Sequence, residues 1–468
     1  GVLGGGLFAL YAATAATGIV PGDPAEYTFV AHLMGIAHPP GYAFMTLLTK
    51  AWQTLVPIGS IAQRSHLLAA AAGALTSALV FGAVWQIESK RATRPSLLPP
   101  LFAALTVAVA ADHWQHSIHV NSHIITVTLN TLAIFLLLCW WRTDQNRWLY
   151  AFCAVAGLGP THHPLTVFSF PAYLLFIIIV RPGIINVTSR GWWREKRWRT
   201  PRNMLLFGLL GLAVWLYYPI RSPMKPDFGP HDMDTLDGFL NVALARGLRV
   251  NLFHFGLAER GQRLLVFWTL LRQQFALPVI LLAAGGLVSL PVRALFGPKA
   301  GRAGGPQWGL VALIVLAFLG PLVFIINSVQ DVMAYLLTPF MLVGLMAGLG
   351  AGALVHWAEG FASVNASLRR EWPLGRMRRY APLVLWIGLL VWPALSLAQN
   401  VSRISLRGYQ AGDEYVAAVF ERFEGSGEEA ILLNDWEHIT PLWYSRYVDG
   451  RWPDPTDVIP SMVSTDRP

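Results

Sequence analysis

Eleven apolar runs dominate this 468-residue chain, near residues 3–20, 66–87, 98–112, 123–141, 148–160, 165–180, 204–220, 275–290, 308–327, 334–355 and 381–398. A helix needs about 20 apolar residues to cross a bilayer. In hydrocarbon every backbone polar group must be satisfied within its own segment, so a chain of such runs folds as a helical bundle. The runs at 98–112 and 148–160 are short, and the expected count is ten or eleven spans. Only 13% of the residues are charged and 54% are hydrophobic. Soluble domains carry about a quarter charged residues, so lipid is the indicated solvent. The predicted fold class is an all-α polytopic membrane protein.

The net charge of +9 is distributed by position. Lys and Arg collect in alternate loops: Lys90 to Arg94, Arg142 and Arg147, Arg181 to Arg202, Arg293 to Arg302, and Arg369 to Arg379. The opposite short loops near 112–123, 161–164 and 328–333 contain none. The positive-inside rule makes the basic set cytoplasmic. Basic clusters between apolar runs also exclude a nucleic-acid-binding face. The other side receives a first external loop, 21–65, the 113–123 and 161–164 turns, the 221–263 loop and a tail from about residue 400. Cys139 and Cys153 both lie in apolar runs and indicate neither a disulfide framework nor a zinc site. A membrane domain over 1–399 is expected. In the 400–468 segment, GDEYVAAVFERF reads as an amphipathic helix, ILLND as a short strand and ITPLWYSRYV as a second helix. That order reads as the start of a small α/β extracytoplasmic domain. The chain begins without Met and stops in mid-pattern, as a piece of a longer protein would.

Polar residues on the external side carry the chemistry. Asp23 and Glu26 follow the first span at a spacing that places both on one helix face. Such a pair can take a proton from a hydroxyl or hold a divalent metal. Equally, Asp23 as N-cap, Pro24 at N1 and Glu26 at N3 make a capping-box-like start. His38 precedes Pro39-Pro40-Gly41, a helix-ending turn. His113, His116, His119 and His123 crowd the next external turn with Asn121, suited more to interfacial hydrogen bonding than to metal. His162 and His163 break the chain between two spans, where polar groups line cavities or pair. Arg221 stands beside Tyr217 and Tyr218 as an interfacial anchor or as a guanidinium fork for phosphate. Asp227 and His231 lie on the stiff loop beyond it. Asp331, with Tyr335, marks another external helix end. No phosphate-binding loop, dinucleotide fingerprint or HExxH is present.

The segment GDPAEYTFVAHLMGIAHPPGYAFMTLLTK resembles the first-loop signature of a bacterial membrane family related to the vertebrate transmembrane O-mannosyltransferase, within the GT-C glycosyltransferase superfamily. YYPIRSPMKPDFGPHD and ILLNDWEHITPLWYSRYV are similar to further segments of that family. The resemblance implies transfer of a sugar from a polyprenyl-phosphate donor to a hydroxyl acceptor, protein or glycan, on the external face of the cell membrane. It implies Asp23 as the first-loop acid, Glu26 as the second, and His38 and Arg221 as matching positions. The residues around Asn121 lack the acid that relatives are expected to carry, and ILLND lacks a fuller acidic run. The expected substrate-binding set is His38, His116, Asn121, His123, His162, His163, Arg221, Asp227, Asp331 and Tyr335. No cofactor is expected beyond a divalent metal at the acids. A transporter or a non-catalytic scaffold subunit are the competing classes.

Overall fold

The structure, a computed structural model, describes residues 1–91, 95–184, 192, 196–247, 253–296, 305–328, 332–364, 374–423 and 432–451. In chain order its first helices are α1 (Val2–Thr14), α2 (Asp23–Leu33), α3 (Ala43–Leu55), α4 (Ile61–Arg91), α5 (Leu98–Ala108) and α6 (Ala111–His116). Next come α7 (Ser122–Thr143), α8 (Asn146–His162), α9 (Phe170–Val180), α10 (Arg199–Leu212), α11 (Tyr217–Arg221), α12 (Leu236–Ala243) and α13 (Arg260–Gln274). Last are α14 (Leu277–Phe296), α15 (Gly305–Ser328), α16 (Leu337–Val364), α17 (Leu374–Ile404), α18 (Ala411–Phe423) and α19 (Trp436–Tyr447).

Each of the eleven apolar runs contains a helix, the first ending at Thr14 although its run continues to residue 20. Among the described residues, seven helical stretches are long and apolar enough to cross a bilayer, including Ile61–Arg91, Ser122–Thr143 and Ala334–Ala358. Val2–Thr14, Leu98–Ala108 and Pro164–Val180 are apolar but shorter. The 98–112 run is broken at Val109, and the chain restarts as α6. Pro160 interrupts α8 one turn before its end, where the helix stops at His162.

Lipid adds no hydrophobic drive between helices, so close backbone approach has to hold them. Glycines supply it. A Cβ at Gly286 of α14 would collide with the Met346 carbonyl of α16, and one at Gly350 of α16 with the Leu282 carbonyl of α14. Gly157 and Gly211 do the same between α8 and α10, against Gly208 and Ala154. The outward faces are apolar: Leu205, Leu206, Leu209 and Leu210 of α10, and Leu383, Val384 and Ile387 of α17, are all exposed. That surface suits hydrocarbon and not water.

The bundle has two unlike ends. At one, Lys90 lies over the Trp141 ring, Arg142 donates to Gln86, and Arg181 pairs with Asp144. At the other, the α1–α2 loop, α6, the turn after α8, α11 and the tail meet. The tail differs from the expected α/β domain. Leu432–Asp435 is an extended connector, and no strand occurs among the described residues; Ile431 lies outside them. Among the described residues the connector has no neighbouring strand to pair with. Asn434 is instead held by the Tyr415 hydroxyl, and Asp435 caps α19. Nor do α18 and α19 stand apart: Val416, Phe420, Leu442, Trp443 and Tyr444 share one core with Ala25, Phe29 and Val30 of α2.

Candidate active site

The N-terminus of α2 sits one residue earlier than a capping box would place it. Gly22 is the N-cap, at φ 77°, and no side chain caps the helix. Asp23 is thus the first helical residue and its carboxylate is released from capping. Its Oδ1 accepts from Trp436 Nε1 at 2.7 Å and its Oδ2 from the Tyr27 hydroxyl at 3.2 Å. The helix dipole favours an anion there. The φ of 77° favours glycine at position 22, and the Glu437 carboxylate lies against it, 2.5 Å from where a Cβ would stand. The Gly22 N–H donates to Thr440 Oγ1 at 2.8 Å, so α19 is fastened directly to the start of α2.

Glu26 is completely buried. A buried carboxylate is costly unless it is paired. Here His38 answers it twice: the backbone N–H donates to Oε1 at 2.8 Å, and Nδ1 lies 2.5 Å from Oε2. Burial opposes charge on the imidazole, but Glu26 and then Asp23 outweigh it and push the His38 pKa up to about 9. At neutral pH this is an imidazolium–carboxylate pair with the His38 side chain 30% exposed. The rings of Tyr27, Tyr42 and Trp436 surround His38, with centroids 5.3–5.8 Å away.

The turn after His38 is pinned from below by α11. Tyr218 donates to Pro40 O at 2.9 Å and accepts from Ala43 N–H at 3.0 Å. Gly41, at φ 87°, leaves room for that hydroxyl, which a Cβ would meet at 2.5 Å. Tyr217 donates to Gly35 O at 2.7 Å. Arg221 donates from Nε to Met34 O at 2.6 Å and from Nη2 to Leu33 O at 3.2 Å, both carbonyls at the C-terminal end of α2. The YYPIR segment is therefore a clasp on α2 and the HPPG turn.

Asp23, Glu26 and His38 open into a cavity of about 520 Å³, walled by Ile36, Phe228, Pro230, Val242, Trp436 and Trp443. That size and apolar lining suit a bound organic ligand. Each of Asp23, Glu26 and His38 offers a ligand atom within 4.8 Å of the others, and no other such group of three occurs among the described residues. Two carboxylates and an imidazole match a Mg²⁺, Mn²⁺ or Zn²⁺ donor set.

The remaining expected residues divide. Tyr42 stands between His38 and the next histidines, with ring centroids 6.0 Å from His162 and 5.8 Å from His163. His123 contacts His163, His116 and Tyr335, giving a buried ring chain that leads away from the acids. Asn121 is spent locally: Oδ1 caps α7, and Nδ2 donates to His116 O and His119 O. His162 bonds Ser122 O and Thr126 Oγ1. His113 is buried against Gly73 O. Arg221 and Asp227 do not line the cavity; Asp227 is exposed, and its carbonyl accepts from Tyr447. His231 bonds Pro226 O within its own loop. Asp331 lies outside the described residues. Sequence reading missed Trp436 and Trp443. Their only signal was the tail segment NDWEHITPLW, whose Asp435 cap announced a helix but not where it docks.

Residues 23–183 match the family model for the Protein O-mannosyl-transferase TMEM260 N-terminal domain. Protein O-mannosyl-transferase TMEM260 of Mus musculus is 27% identical over 234 residues, covering 50% of this chain and 32% of that protein. The tmem260 protein of Dictyostelium discoideum is 22% identical over 256 residues, covering 49% and 28%. The matches thus span about a third of the length of these relatives. Among solved structures, ArnT from Cupriavidus metallidurans bound to undecaprenyl phosphate superposes at TM-score 0.56 with 14% identity, over 96% of this chain and 84% of that one. The Archaeoglobus fulgidus oligosaccharyltransferase with a tethered acceptor peptide superposes at 0.54 with 11% identity, over 97% and 63%. The fold is that of the GT-C glycosyltransferases, and the resemblance read from the first-loop signature is borne out.

Proposed function

We propose that this chain, a GT-C fold whose residues 23–183 match the TMEM260 N-terminal family model, is a membrane glycosyltransferase. It moves a mannose-like hexose from a polyprenyl-phosphate donor to a hydroxyl, with protein Ser or Thr the favoured acceptor. The reaction takes place on the extracytoplasmic face of the plasma membrane. One observation carries the reading: the Asp23 carboxylate is uncapped, oriented by Trp436 and Tyr27, and aimed into an apolar cavity beside the Glu26–His38 pair.

In the proposed step the acceptor oxygen attacks the anomeric carbon. The bond from that carbon to the phosphate oxygen breaks, Asp23 takes the hydroxyl proton, and the polyprenyl phosphate leaves as an anion. A positioned base contributes about 10²–10⁴-fold. His38 is the only basic side chain among the described residues lining the cavity, so it takes the role of cation for the departing phosphate. Low dielectric strengthens that interaction. A divalent metal held by Asp23, Glu26 and His38 would supply the same electrostatic relief. Arg221 serves as a positioning residue, since its guanidinium holds the end of α2 and not the cavity wall. The site lies at the end of the bundle away from the basic loops, which favours the extracytoplasmic face.

The test is transfer by the reconstituted protein, given polyprenyl-phosphate mannose and a Ser/Thr peptide, with and without chelator. Asp23→Asn is expected to reduce turnover by about 10²-fold or more. Unchanged transfer in that variant would overturn the assignment.

A further inference from the structure

A second cavity, of about 370 Å³, opens at the same end of the bundle among α6, α13 and α17, and shares no lining residue with the Asp23 cavity. Its wall holds Asp112, whose side chain is 1% exposed. Neither carboxylate oxygen receives a hydrogen bond. His116 Nδ1 lies 3.3 Å from Oδ1 and bonds Asp112 O, at 2.8 Å. On the same wall the Trp392 indole N–H is buried without an acceptor. Buried polar groups are satisfied as a rule, and a lost partner costs about five- to a hundredfold in an equilibrium. An acceptor and a donor left open on one cavity point to a ligand that completes both.

The chemistry narrows the ligand. Arg403 stands on the same wall as Asp112, so the opposite charges favour neither an anion nor a cation over a neutral polar ligand. A metal cation would answer the carboxylate and leave the indole N–H unmet. A hydroxyl both donates and accepts, and the amides of Gln115, Gln273 and Gln399, also on the wall, do both as well. The frame is fixed: Gln274 Oε1 accepts Asp112 N–H at 2.8 Å, and Asn400 Nδ2 donates to Val109 O at 2.8 Å. A carboxylate, several planar amides and an indole on one wall form a recognition set for vicinal hydroxyls. We infer that the Asp112–Trp392 cavity is a second site, binding a neutral glycosyl unit apart from the Asp23 centre.

Binding is read without transfer, so failure of the proposed reaction leaves the test intact. Saturation-transfer NMR on the purified full chain uses methyl α-D-mannopyranoside, methyl α-D-glucopyranoside and a polyprenyl-phosphate hexose as probes. Asp23→Asn is carried alongside as a variant at the other cavity. Saturable hexoside binding that Asp112→Asn and Trp392→Phe each weaken about tenfold supports the inference, and binding weakened by Asp23→Asn alone places the hexoside in the other cavity and overturns it. Binding of the polyprenyl-phosphate hexose alone, or of no hexoside at all, overturns the inference, since the lipid-linked ligand is an anion and belongs to the Asp23 centre. If Asp112→Asn fails to fold, Trp392→Phe carries the test. Hexoside binding that neither variant changes, or thermal stabilisation by Na⁺ or Ca²⁺ with no hexoside binding, overturns it.

Discussion

At residue scale, Glu26 and His38 show how a costly buried charge becomes an asset. The carboxylate is fully buried and is answered by a backbone N–H and by an imidazole whose pKa is raised to about 9. A group whose folded pKa exceeds its unfolded value of 6.5 stabilises the fold fully below about pH 6.5. That contribution fades as pH rises through 9. Melting curves of wild type and His38→Gln should therefore separate most at pH 6 and converge near pH 10; a constant gap would deny the ion pair. Trp436→Phe tests a different bond. It keeps the aromatic wall and removes one charge-assisted donor from Asp23, so turnover should fall about tenfold with donor affinity little changed. Normal turnover would make Trp436 a wall residue only. Asp23, Glu26 and His38 were legible because they fall within 16 positions of one another in a strongly patterned loop. Trp436 was not, because 413 residues separate it from Asp23 and no local rule joins them.

At the scale of elements, hydrophobic patterning placed a helix in each of the eleven apolar runs, since lipid leaves little else for an apolar run to become. It failed where structure depends on partners. The ILLND segment has strand-like composition, but among the described residues no strand lies beside Leu432–Asp435, which stays unpaired. Arg221 read equally well as anchor or phosphate fork; only the fold shows its guanidinium closing the end of α2. The glycine crossings were also silent in sequence, because 42 glycines are spread along the chain and few of them meet a backbone. Gly350→Leu should force α14 and α16 apart and cost about 1–3 kcal/mol or more. Gly388→Leu, on an exposed stretch of α17 with nothing within 4 Å, should leave stability unchanged. Thermal unfolding in detergent compares them. Equal melting temperatures would show that the crossing does not hold the bundle.

At the scale of the molecule, the two ends of the bundle divide the labour. One gathers Lys90, Arg142 and Arg181 in a basic fringe; the other gathers the acids, the histidines and the docked tail. Basic loops stay cytoplasmic because translocating them is unfavourable, which would place Asp23 where a lipid-borne sugar meets external acceptors. Cysteine labelling decides this with little background, since Cys139 and Cys153 are both buried. Gly408 is exposed beyond α17 with open space around it, and Gln145 is exposed in the turn between α7 and α8 at the basic end. In sealed right-side-out vesicles, Gly408→Cys should react with a membrane-impermeant maleimide at once. Gln145→Cys should react only after permeabilisation. The opposite order would put the acids on the cytoplasmic face, and a donor displayed on the outer leaflet could then no longer reach Asp23.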